Sequence, residues 1–279
     1  MTAVAAPRFA SAMEAGLHGP YVGRPAGPQF RHRITETTPG RLHIYASWSS
    51  PGAHRAALVR SLLLLDGIVS ISYVDTLRDA RGWAFRETTG PDPVNGFTLL
   101  REAYERTQPD YDGPVTVPVL WDLHLSRILS NSADDIDAGL ATAFDGRGGV
   151  WLYSSQLRER IDDLDLWLRR AVSAQLGRSV YDERSRDELL AAFSSLSSRL
   201  AKQAYLIDGE LTLADIRLWV SLIRYDAGPN AHGAVGPKLS EFPALWDYAR
   251  RLYSIPAFRE TTRFEAIAAP FASLPNWQS

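Results

Sequence analysis

An apolar run, Leu42-His43-Ile44-Tyr45-Ala46, passes through Ser49-Ser50-Pro51-Gly52 into an amphipathic stretch from about Ala53 to Leu65. Strand, tight turn and a proline near the first helical position commit this region to an α/β unit in which a sheet strand feeds directly into a helix. The turn is also chemically marked. A helix start presents N–H groups without intrahelical acceptors and the positive end of the helix dipole. A thiolate placed there is stabilised and its pKa falls. Here the position carries the hydroxyl of Ser50, and the 279 residues contain no cysteine.

The surrounding pattern extends this start. Residues 1–40 hold Gly, Pro and Ala without a sustained period and read as an irregular arm. Residues 41–146 alternate short strands and helices: strands at 41–46 and 68–74 around the helix, an insertion at 75–98, and a helix near 98–107. A hairpin of Val115–Trp121 and Arg127–Ser130 and a helix near 133–144 complete it. In the insertion, Asp92 and Asn95 are expected to close a turn by side-chain hydrogen bonds. From 147 to 279 helical spacing takes over, with segments near 154–175, 185–203, 212–226 and 242–253. Thr212-Leu213-Ala214-Asp215 reads as a capping box, which speaks for the fold and not for chemistry.

Composition narrows the function classes. A hydrophobic share of 45% with 22% charged residues is that of a soluble globular protein. A net charge of −2 gives no reason to expect a nucleic-acid or membrane partner. No apolar run approaches the roughly 18–20 residues that cross a bilayer, and the N-terminus shows no secretory pattern, so the expected location is cytoplasmic. The six histidines show no metal-ligand spacing, and no Gly-rich phosphate loop is present.

Four blocks point to relatives: SerSerProGlyAlaHisArg at 49–55, ArgGlyTrpAlaPhe at 81–85, AspProValAsnGlyPhe at 92–97 and ValThrValProValLeuTrpAsp at 115–122. In this order and spacing the chain resembles the Xi class of glutathione transferases, the glutathionyl-hydroquinone reductases, over roughly residues 38–265. The resemblance implies an α/β thioredoxin-like N-terminal domain followed by an all-α C-terminal domain, the glutathione transferase fold, and a homodimer. It also implies glutathione as the co-reactant; with Lys202 and Lys238 the only lysines, a hint of a GC-rich genome, another low-molecular-weight thiol such as mycothiol is the alternative. The family reads Cys-Pro-Trp-Ala-His-Arg where this chain has Ser50-Pro51-Gly52-Ala53-His54-Arg55. Pro118 is then expected to be cis, setting the backbone of Val117 against a thiol peptide, and Trp48 and Trp83 are expected near that peptide. Relatives end the fourth strand with Asn-Glu-Ser, whose last two residues hold the γ-glutamyl group; here those positions fall on Ser132 and Ala133. Asp134 or Asp135 is a substitute receptor for an amine, or else a helix-dipole partner. Tyr225 and Tyr181 are candidate hydroxyl donors for the cleft, or else wall aromatics.

Thiol–disulfide exchange through an enzyme-bound mixed disulfide requires a sulfur nucleophile, which Ser50 lacks. What remains is a glutathione transferase-like protein without the reductase cysteine. Ser50 is either a hydroxyl that donates to a bound thiolate or a helix cap. The substrate expected is a hydrophobic small molecule. The alternatives are a thiol-independent isomerase, lyase or cyclase of a specialised pathway, and a non-catalytic binding protein.

Overall fold

The computed structural model describes residues 18–22, 27–35 and 37–277; the rest of the expected N-terminal arm lies outside the described residues. Two compact units result, the first taking the described residues up to Arg60 with Leu64–Ala143, the second Ser61–Leu63 and the chain from Phe144 on.

In the first unit, β1 (Leu42–Ala46) is buried along its whole length and runs parallel to β2 (Val69–Tyr73). It is antiparallel to β3 (Val119–Asp122), which pairs in turn with β4 (Arg127–Ser130), giving the sheet order β2-β1-β3-β4. The helices are α1 (Pro51–Leu62), α2 (Arg101–Thr107) and α3 (Ala133–Ala143). Alternation along β1 puts His43 and Tyr45 on one face. On that face Tyr45, Trp121, Phe85 and Phe97 meet as an aromatic core, ring centroids 5.8–6.4 Å apart. The expected turn at 92–97 forms beneath it: Asp92 accepts the N–H groups of Val94, Asn95 and Phe97 and the hydroxyl of Tyr45, to which the Asn95 amide also donates.

Described residues of the arm pair with the sheet. Residues around Phe30 run along the free edge of β4, His32 N–H bonding to Leu129 and Asn131 N–H to Phe30. The Asn131 side-chain oxygen accepts the N–H groups of Gln29 and Phe30, each at 3.0 Å. An edge strand that would otherwise expose unpaired backbone groups is thereby covered.

The second unit contains α4 (Arg158–Leu168), a π-helical turn (Arg169–Ser173), α5 (Ala174–Arg178), α6 (Glu183–Leu200) and α7 (Leu213–Tyr225). It ends in α8 (Pro243–Ser254), α9 (Pro256–Glu260) and α10 (Phe264–Ile267). The capping box at Thr212 is present. Asp215 is fully buried and accepts from Thr212 N–H, the Thr212 hydroxyl, Leu206 N–H and the Tyr248 hydroxyl, all at 2.9–3.0 Å. Burial holds its carboxyl above the usual range even against these donors. Trp277, near the C-terminal end, packs among Trp219, Trp246, Tyr253 and Phe264. No helix among the described residues is long and apolar enough to cross a membrane.

Candidate functional site

The two serines of the 49–55 turn have different partners. Ser49 donates its hydroxyl to the Thr76 carbonyl at 3.1 Å and lies 3.2 Å from the Ser47 hydroxyl, so it fastens the turn to the 75–98 insertion. Ser50 is the helix cap: its Oγ accepts the Ala53 N–H at 3.3 Å, and its carbonyl accepts the His54 N–H at 3.0 Å. The Ser50 hydroxyl donates to the Val117 carbonyl, 3.4 Å away. The Val117–Pro118 bond is cis, as expected. Among the described residues no acceptor meets the Val117 N–H. Ser50, Val117 and Pro118 are thus brought together at the start of α1. Behind them Tyr104 braces the loop, its hydroxyl donating to the Thr116 carbonyl at 2.9 Å and accepting the Thr116 N–H at 3.1 Å.

Gly52 is required by a close approach. A Cβ there would stand 2.9 Å from the Ala133 Cβ and 3.1 Å from the Pro118 Cδ. The start of α3 therefore lies hard against the start of α1. Arg55 locks the pair, bonding Asp137 through Nε and Asp134 through Nη2, both at 2.7 Å.

Ser132 caps α3, its Oγ accepting the Asp135 N–H at 3.3 Å. Asp135 forms a two-point ion pair with Arg31 of the arm at 2.6 and 2.7 Å. That pairing holds its carboxyl below the usual range. Both candidate amine receptors are thus already matched to arginines. Their first-turn position also favours the helix-dipole alternative.

Trp48 stacks on Tyr73, centroids 3.8 Å apart and planes at 6°, at the end of the sheet that carries Ser50. Trp83 is buried to 6% exposure in the aromatic core, and its Nε1 meets no acceptor among the described residues. The Arg78 guanidinium lies 4.8 Å over its ring and 4.2 Å over that of Tyr21, so the arm reaches the insertion as well. Tyr225 and Tyr181 belong to the second unit. Tyr225 is fully buried, donates to the Pro237 carbonyl at 2.9 Å and packs edge-on against Phe193, so its hydroxyl serves the core. Tyr181 is 91% exposed. These surroundings suit a wall aromatic and a surface residue better than hydroxyl donors in a cleft.

No local sequence pattern marks Arg31, Asn131 and Asp137, which fix the described part of the arm and α3. Each works through a partner some 80–100 positions away, a separation that leaves no local pattern.

A family model described as glutathione S-transferase, C-terminal domain, matches residues 157–251. Glutathionyl-hydroquinone reductase YqjG of Escherichia coli K12 is 32% identical over 240 residues, 81% of this chain and 73% of that protein. Glutathionyl-hydroquinone reductase PcpF of Sphingobium chlorophenolicum is 33% identical over 218 residues, 74% of this chain and 70% of that protein. Among solved structures, glutathione transferase Xi from Phanerochaete chrysosporium superposes with a TM-score of 0.81 at 31% identity, covering 88% of this chain and 90% of the other. The glutathione-bound structure of YqjG superposes at 0.78 with 30% identity, covering 84% and 79%.

Proposed function

The chain belongs to the Xi-class glutathione transferases, the family of the glutathionyl-hydroquinone reductases, and on that premise we propose that it is a serine-type thiol transferase without reductase activity. The observation that carries this reading is the grouping of the Ser50 hydroxyl with the Val117 carbonyl and the open Val117 N–H beside cis-Pro118. An extended thiol peptide pairing with Val117 gives its own N–H to that carbonyl. Ser50 is then released from its 3.4 Å bond, and its proton turns to the thiol sulfur. A hydrogen bond to the charged form lowers the thiol pKa, at about 1.4 kcal/mol of preferential stabilisation per unit. The thiol proton passes to solvent. The ionised sulfur then forms a C–S bond to an activated double bond of a hydrophobic substrate, with Trp48 as a wall. The π pair of that double bond moves to the neighbouring atoms and takes up a proton from water. Disulfide chemistry on the protein has no cysteine thiol to proceed through.

The thiol is glutathione or another low-molecular-weight thiol such as mycothiol, and the protein works as a homodimer. The cysteinyl part of glutathione fits the Val117 edge. The γ-glutamyl part fits poorly, because Ser132 and Ala133 offer no carboxylate and the Asp134 and Asp135 carboxylates are held by Arg55 and Arg31. Losing one partner of a buried charge pair commonly costs about 2–5 kcal/mol, so binding is weak. That same observation favours the second reading, a thiol-independent isomerase, lyase or cyclase using the cleft.

Calorimetric titration with glutathione and then mycothiol at millimolar ligand tests the proposal. Saturable binding of either supports it, and Ser50→Ala should then raise the pKa of the bound thiol, followed by thiolate absorbance. Binding of neither removes the thiol reading. Reduction of a glutathionyl-hydroquinone clearly above background would overturn the assignment of Ser50.

A further inference from the structure

His43 of β1 forms a side-chain cluster separate from the Ser50 turn. In the β1–β2 register His43 stands opposite Ser70, and Tyr45 opposite Ser72. The imidazole lies between both hydroxyls, its Nδ1 2.7 Å from the Ser70 Oγ and its Nε2 2.9 Å from the Ser72 Oγ. His43 is buried, whereas Ser70 is exposed and Ser72 half-buried. A buried imidazole needs two partners, and two serines would satisfy it in a purely structural way. Two features go beyond that need.

The first is direction. The Ser70 hydroxyl donates to the Leu42 carbonyl at 3.5 Å, so toward His43 it accepts. The imidazole proton is thereby assigned to Nδ1, and Nε2 turns its lone pair to the Ser72 hydroxyl. A hydroxyl facing a basic nitrogen, with the ring's other nitrogen held by a third group, is the arrangement of an activated nucleophile. The second is an open edge. β2 is the outer strand of the sheet. Val74 gives its N–H to the Ala46 carbonyl, and alternation along the ladder turns the Ser72 N–H toward β1 and the Ile71 N–H away from it. The Ile71 N–H meets no acceptor among the described residues, which leaves a donor for a negative oxygen next to Ser72 in the chain. The base is weak. Burial, and then the Arg60 charge from α1, push the imidazole down to about 4, and the Tyr45 ring packs edge-on at 4.6 Å. Such a base is neutral at working pH and suits a carbonyl that carries a good leaving group.

We propose that Ser72 is a second nucleophilic centre, with His43 as its base and Ser70 as a positioning residue, and that it accepts the acyl group of an aryl ester. The Ser72 Oγ forms a bond to the ester carbonyl carbon while its proton passes to His43 Nε2. The bond from that carbon to the aryl oxygen then breaks with its electron pair, and the oxygen takes the proton from Nε2 and leaves as the phenol. Nothing is oxidised or reduced, and neither Ser50 nor a thiol takes part.

The test is incubation of the full chain with 4-nitrophenyl acetate in the absence of thiol, followed by nitrophenolate absorbance and by peptide mass spectrometry. One acetyl group is expected on Ser72, at a rate level between about pH 6 and 8, because the base is already neutral there. Ser72→Ala should abolish labelling of that peptide, and His43→Gln should slow it at least about a hundredfold. Ser70→Ala removes one orienting hydrogen bond and should slow it about tenfold, with Ser70→Thr restoring the rate. Melting temperatures establish that each variant is folded, and the unsubstituted protein decides the matter by itself. No labelling, an acetyl group found only at other residues, or a rate that climbs in proportion to hydroxide would overturn the proposal, as would labelling indifferent to both His43→Gln and Ser70→Ala.

Discussion

Replacing Arg55 by Met should destabilise the first unit severely. The Arg55 side chain is 10% exposed and that of Asp137 only 7%, whereas Asp134 is 35% exposed. Met keeps much of the aliphatic stem, so the loss is electrostatic. Asp137 is left as a buried carboxylate deprived of its cation, which typically costs about 3–5 kcal/mol. Asp134 adds little, because water screens a group that exposed. With an unfolding entropy of about 2.1 cal/mol/K per residue, the 279 residues give roughly 0.6 kcal/mol/K, so each kcal/mol moves the melting temperature by about 1.7 °C. The expected drop at pH 7 is therefore about 5–8 °C in a thermal melt. Adding Asp137→Asn removes the stranded charge and should recover a substantial part of the loss, a non-additivity that a double-mutant cycle measures directly. A drop under about 1 kcal/mol for Arg55→Met, or no recovery in the double variant, would refute the reasoning that this clamp holds α1 and α3 together.

Two other positions give sharp expectations. His43 is 1% exposed, sits between the Ser70 and Ser72 hydroxyls, and has its pKa lowered to about 4 by burial and then by the Arg60 charge. The unfolded chain takes up the proton near pH 6.5 and the folded one only near 4, so stability falls as pH drops through that window, by roughly 3 kcal/mol in all. His43→Gln should flatten this part of a melting-temperature-against-pH curve; identical slopes in both proteins would exclude His43 as its source. At Gly52, an Ala side chain would meet Ala133 at 2.9 Å and Pro118 at 3.1 Å, neither of them a flexible end. Gly52→Ala should cost about 1–3 kcal/mol in a denaturant titration, and no loss would mean that the two helix starts have room to separate.

The order of elements in the first unit was readable because each strand and helix carries its own period. β4 spans Arg127–Ser130 and α3 begins at Ala133, as their sequences suggest. The stretch from Val115 to Pro118 looks like strand by composition but is loop, since β3 begins at Val119. Thr116 in this loop gives its N–H to the Tyr104 hydroxyl at 3.1 Å instead of to a neighbouring strand. The segment expected as one helix over 154–175 starts at Arg158 and passes through a π-helical turn at Arg169–Ser173, a change of hydrogen-bond spacing that apolar periodicity does not register. At the site, Ser50 and Pro118 stood out through the family pattern. Their meeting depends on β1 and β3 pairing, Tyr45 opposite Val119, which a linear reading does not contain.

Cap and thiol donor are often opposed as readings of a turn serine, but at Ser50 they draw on different parts of one hydroxyl. A hydroxyl has one proton to donate and two lone pairs to accept with. The cap uses a lone pair, toward the Ala53 N–H, and the bond to Val117 uses the proton. Docking a peptide along Val117 competes only for the proton's acceptor and leaves the cap intact. Ser49 differs, because its proton goes to the Thr76 carbonyl of the insertion at 3.1 Å. Both bonds of Ser50 are long, at 3.3 and 3.4 Å, so redirecting the hydroxyl forfeits little. A serine that holds the helix start and keeps a loosely committed proton beside the Val117 N–H is what the proposed thiol-donor role requires.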